Sequence, residues 1–138
     1  MRSARTQITL GVDFAHTIRN KAQSGENVDF SAITDFEWDK MAIILPYLDP
    51  WWVLAHEGVA PVRLNTNIRN SDIHNLIIFM NNHQVVAYMD ISRVLFDFHL
   101  SHFSDHIFTR ETAIFVPSIE EQNVMNIENW IVLRPKYE

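Results

Sequence analysis

A chain of 138 residues, 47% apolar and 12% aromatic, can bury the core of one domain. Its formal net charge of −6, with no basic run, excludes a surface that displaces counterions from phosphates, so neither nucleic acid nor an anionic membrane is an expected partner. The absence of cysteine excludes disulfides, thiolate nucleophiles and cysteine zinc sites, and no stretch is apolar enough to span a bilayer.

Residues 1–14, MRSARTQITLGVDF, carry early arginines but no apolar run, so they do not read as an intact secretion signal. The next segment, 8–23, predicts a helix: Leu10, Phe14 and Ile18 share a face, Arg19 and Lys21 sit near the negative end of its dipole, and Gly25 stops it. Then comes TDFEWDKMAIILPY, 34–47. Thr34 and Glu37 fit a capping box for a helix, but the run also fits a strand over 36–45. As a strand it is apolar on both faces, as a central strand would be, and parity puts Asp39 with Met41, Ile43 and Leu45, opposite Trp38 and Lys40. Periodicity leaves both readings open.

Asp49, Pro50 and Gly58 mark the N-cap, first turn and stop of a short helix, PWWVLAHE. Trp51 and Trp52 on it have two readings. Either both indoles are mostly covered as the helix caps the sheet, or one is presented to a partner as an interface residue. LIIFMNNHQVVAYMDI predicts a hairpin, with strands near 76–80 and 84–91 around Asn81, Asn82 and His83. Glycine occurs only at 11, 25 and 58, so turns needing positive φ fall to the eleven asparagines. TAIFV, 112–116, predicts a strand stopped by Pro117, and Ser118 with Glu121 predicts a helical turn after it. NWIVL, 129–133, predicts a last strand ended by Pro135. Residues 1–138 thus read as a single α+β domain, with 1–7 as an unordered lead-in. An N-terminal helix and a short second helix pack on an antiparallel sheet.

The stretches Phe36 to Tyr47, Leu76 to Tyr88, and Asp97-Phe98 resemble a group of small bacterial proteins. These carry an acidic aromatic F-x-W-D-K segment, an apolar run, P-Y, and a later hairpin closed by an Asp-Phe pair. The matching motif residues here are Trp38, Asp39, Lys40, Pro46 and Tyr47. The resemblance implies a strand for 36–45 and, because many such proteins are exported or lipid-anchored, an extracytoplasmic place in the cell envelope. A native start at Met1 would instead imply the cytoplasm. It supplies no catalytic residue, and no lipobox cysteine is present.

Two constellations carry possible chemistry. In DFHLSHFSDHIF, 97–108, His99, His102 and His106 fall at i, i+3 and i+7. On a helix three imidazoles would converge as a catalytic zinc site, with Asp97 or Asp105 as ligand or support. On an irregular connection they diverge. Asp35, Glu37 and Asp39 offer paired carboxylates, but Asp39 beside core needs a partner such as Arg63, Arg69 or Arg93, or a turn N–H. No G-x-G-x-x-G, P-loop, nucleophile elbow or H-E-x-x-H occurs. The expected function is a non-catalytic binding domain whose partner is another protein. A toxin-neutralising immunity protein belongs to that class, because an acidic surface occludes a basic partner. The alternatives are a zinc-dependent enzyme using the histidines and a structural accessory domain of a multi-protein assembly. Zinc is the only cofactor the sequence suggests.

Overall fold

The computed structural model describes residues 8–100, 106–121, 123 and 125–137; residues 1–7 and 101–105, with His102 and Asp105, lie outside them. The elements are β1 (Ile8–Thr9), α1 (Val12–Gln23), β2 (Val28–Asp29), α2 (Phe30–Ile33), β3 (Lys40–Ile44), α3 (Pro50–His56), a 3-10 turn at Ile68–Asn70, β4 (His74–Asn81), β5 (Gln84–Ser92), β6 (Asp97–Phe98), β7 (Ile107–Thr109), β8 (Ile114–Glu120) and β9 (Trp130–Pro135). The fold is α+β, as the element order predicts, but its strands divide between two sheets. One runs β1-β5-β4-β3-β7 and the other β2-β8-β9-β6. Pairing is antiparallel except for β1 with β5 and β6 with β9.

The first sheet is a central layer. Met41, Ile43, Ile77 and Phe79 face a core shared with Ala15, Ile18 and Ala22 of α1 and with Phe115, Ile131 and Leu133 of the second sheet. Ala42, Ile44, Leu76 and Ile78 face a second core, closed by Val53 and Leu54 of α3 and by Val59 and Ile68 of the following segment. Because β3 and β4 are covered on both faces, they read as unbroken apolar runs rather than alternating ones. In the first core Phe79 meets Phe14, Phe36 and Trp38 edge-on, the last at 5.0 Å between centroids. Such pairs add about 0.5–1.5 kcal/mol each beyond area burial.

Several local expectations are corrected. The first helix starts at Val12, not residue 8, because Ile8 and Thr9 pair with Ala87 and Tyr88, and the Leu10 N–H donates to Tyr88 O at 3.1 Å. The strand expected over 36–45 begins at Lys40. The Thr34–Glu37 box starts no helix. Thr34 Oγ1 instead donates to Phe30 O and accepts from Trp38 Nε1, both at 2.8 Å, closing the unexpected single turn of α2. Trp38 joins the core of Met41 and Ile43 rather than that of Ala42 and Ile44, so parity fails just before the strand.

Pro117 does not end its strand, and Ser118 lies in β8 rather than in a helical turn. The Lys136 N–H donates to Ile114 O at 2.9 Å, which makes Phe115–Pro135, and two residues on Pro117–Leu133, non-hydrogen-bonded pairs. Both prolines therefore sit where a residue's N–H would point away from the partner strand, and β2 pairs with β8 only at Ile114 and Phe115, short of Pro117.

The stops follow the sequence closely. Gly25 (φ +84°) and Gly58 (φ +69°) end α1 and α3, each with paired N–H donations back into the last turn. Asn82 (φ +50°) and His83 (φ +64°) form a two-residue hairpin turn within the expected Asn81–His83, with Asn81 paired as the last residue of β4.

Candidate functional site

Among the described residues, the two most exposed aromatic side chains, Tyr47 and Trp52, lie in the link from β3 to α3 and on α3 itself. Pro46 ends the strand region, and Tyr47 then adopts φ +70°. An aromatic residue in this left-handed region carries a cost of about 1–2 kcal/mol. The Tyr47 N–H donates to Ile68 O at 2.9 Å, holding that conformation. Asp49 caps α3 by accepting from the Trp51 N–H at 3.0 Å and pairs with Arg69 at 3.0 Å. Pro50, Val53 and Leu54 form the buried side of the helix.

At about 100° per residue, Val53 and Leu54 flank Pro50 on the buried side, Trp51 falls at its margin and Trp52 points nearly opposite Pro50. Trp51 is half-buried and Trp52 is 68% exposed; the expectation that both indoles are covered is not met. The Trp52 ring packs against His56 at 4.8 Å, and Tyr47 (61%) and Leu48 (41%) are exposed beside it in sequence.

Asp39 is exposed rather than aligned with the core, and of its two expected kinds of partner it has the turn N–H and not an arginine: Oδ2 accepts from the Asn82 N–H of the hairpin turn at 3.1 Å. Lys40 Nζ donates to Glu57, at the end of α3, at 2.8 Å. That hydrogen bond first, then the charge of Glu57, holds the Lys40 ammonium above its ordinary pKa; partial burial opposes them and Asp39 adds a smaller raise. Arg110 lies over the Trp38 ring at 4.6 Å. These residues tie strand, hairpin and helix together. Asp35 and Glu37 are exposed and form no ion pair among the described residues.

His99 follows β6 at the edge of one sheet, and His106 precedes β7 at the edge of the other. The His99 N–H donates to Leu133 O at 2.9 Å, and His106 Nδ1 lies 3.0 Å from Ile43 O. The continuous helix on which the three-histidine spacing depended is therefore replaced by strand at both ends; His102 lies outside the described residues. Among the described residues no group of three or more His, Asp or Glu side chains is placed to hold a metal, and no helix is long and apolar enough to cross a membrane. Asp97 is buried. It accepts from Asn75 Nδ2 at 2.7 Å, Arg93 Nε at 2.8 Å and the Phe98 N–H at 2.8 Å, which locks β6 to β4.

Ser71 Oγ lies 2.8 Å from His74 Nδ1, as a nucleophile and base would. However, the same oxygen accepts the Ile73 N–H at 3.3 Å, so Ser71 closes its own turn. The preceding residues 66–70, TNIRN, form a polar rim beside Trp51 that the sequence did not single out. The density of asparagine there was the available signal.

No protein-family model, no curated protein and no solved structure matches this chain.

Proposed function

We propose that this domain is a non-catalytic binding module that docks another protein on the surface formed by Tyr47, Leu48 and Trp52. The observation that carries the reading is an aromatic residue held at φ +70° while 61% exposed. Strain of this kind persists only where surrounding bonds enforce it, and it concentrates at functional positions. Its neighbour Trp52 belongs to the residue type that most often anchors protein interfaces. The motif shared with the small bacterial proteins supports a frame rather than a chemistry, since Trp38, Asp39 and Lys40 all make packing or bridging contacts. An extracytoplasmic setting, or neutralisation of a basic toxin, suits the acidic chain within this class.

The test is site-specific photo-crosslinking from position 52 in the native cell, followed by binding measurements with the captured partner. Trp52→Ala and Tyr47→Ala should weaken binding at least about tenfold with the circular dichroism spectrum unchanged. Undiminished binding by both variants would remove this surface from the function.

A further inference from the structure

We propose that the groove on the other side of α3 from Trp52 is a binding site for a neutral saccharide. The groove has a volume of about 270 Å³ and is walled by Trp51 and Leu64, with Thr66, Asn67, Arg69 and Asn70 along its rim. Through Asn67 and Asn70 it continues into a second cleft of about 300 Å³ that adds Asp72, His74 and Asp90. An aromatic wall facing a rim of amides, a guanidinium and carboxylates matches one ligand chemistry well. A pyranose has a face of C–H bonds that stacks on an indole and an edge of hydroxyls that both donate and accept. Among the described residues the Trp51 indole N–H, like that of the exposed Trp52, meets no acceptor within the protein, whereas those of Trp38 and Trp130 donate to Thr34 and Arg93.

The charge of the rim selects against anions. Arg69 is paired with Asp49, and Asp72 and Asp90 add two further negative charges against no other Lys or Arg on the lining of either cleft. A phosphate or carboxylate ligand would meet net repulsion; a neutral polyol would not. The rim is also fixed in advance. Thr66 Oγ1 donates to Asp90 at 2.6 Å, the Asn65 N–H donates to the Tyr88 hydroxyl at 3.1 Å, and Ile68 is buried. The polar groups therefore need little ordering when a ligand arrives.

The experiment is isothermal titration of the full chain with maltohexaose, cellohexaose and tri-N-acetylchitotriose. At least one should bind with millimolar or tighter affinity. Trp51→Ala and Asn70→Ala should each weaken it at least about tenfold, Trp51→Phe should retain most of it, and Trp52→Ala should leave it unchanged. Asn70 is exposed, so Asn70→Ala decides the matter if Trp51→Ala fails to fold. The proposal is overturned if none of the three sugars binds, if Asn70→Ala binds as well as the parent, or if inositol hexakisphosphate binds in their place. Failure here leaves the Tyr47–Trp52 surface and its protein partner untouched, because that reading is scored on position 52.

Discussion

Replacing Tyr47 by glycine and, separately, by alanine isolates the backbone strain on which the proposed docking surface rests. Both substitutions delete the same ring, which is 61% exposed, so the burial they lose is nearly equal. Alanine keeps a Cβ at φ +70° and with it the left-handed cost of about 1–2 kcal/mol. Glycine sheds that cost but gives the unfolded chain more freedom, a penalty of roughly 0.5–1 kcal/mol. The difference leaves Tyr47→Gly ahead of Tyr47→Ala by up to about 1.5 kcal/mol, centred near ~0.8 kcal/mol. For 138 residues that centre corresponds to about 3 °C in Tm. Paired urea and thermal denaturation of the two variants reads it directly, with equal m-values confirming that the comparison is like for like. If alanine proves as stable as glycine, the backbone at 47 is not strained, and the structural argument for a functional role there falls.

Asp97→Ala should cost about 3–5 kcal/mol, or roughly 10–17 °C in Tm, because it leaves the buried Asn75 amide and Arg93 Nε without their acceptor and the Arg93 charge without its carboxylate; a loss under about 1 kcal/mol in urea denaturation would show that the cluster does not anchor β6. Asp39→Ala removes one hydrogen bond to the hairpin turn and should cost about 0.5–1.5 kcal/mol while leaving partner binding intact; intact stability with lost binding would reverse that assignment. Lys40→Met should cost only about 0–1 kcal/mol at neutral pH, since the Lys40–Glu57 pair is partly exposed. Its pKa is raised above the ordinary 10.5, so the pair's stabilisation is fully present below that value and is lost as pH rises through the higher folded pKa. Parent and Lys40→Met should therefore converge in urea midpoint above it; a gap that persists there would point to packing by the lysine stem rather than charge.

Fold class and the helix and hairpin stops were legible because they depend on local chemistry. Asp49, Pro50 and Gly58 specify α3 residue by residue, and Asn82 takes the positive φ that the scarcity of glycine left to asparagine. The division into two sheets was not legible, because nothing in TAIFV or NWIVL distinguishes a strand beside β3 from one stacked across a core. The boundary at Trp38 failed for a related reason: β3 is buried on both faces, so its run carries no parity signal against which a preceding irregular residue could be noticed.

The proposed docking surface was half legible, and the half that was not bears on how Tyr47 is held. Composition and spacing could single out Trp51 and Trp52 on one short helix, but only the position of the buried side, Pro50, Val53 and Leu54, decides that Trp52 faces away from it. Tyr47 could not be found this way, because turn chemistry assigns left-handed positions to glycine and asparagine. Its conformation is imposed from a distance, by the N–H bond to Ile68 O on the turn that also carries Arg69 and Asn70. The same turn thus bonds the Tyr47 backbone and forms the polar rim beside Trp51. A ligand that shifts Ile68–Asn70 in the groove would alter the bond holding Tyr47, so the two surfaces share a mechanical element even though they are scored by different residues.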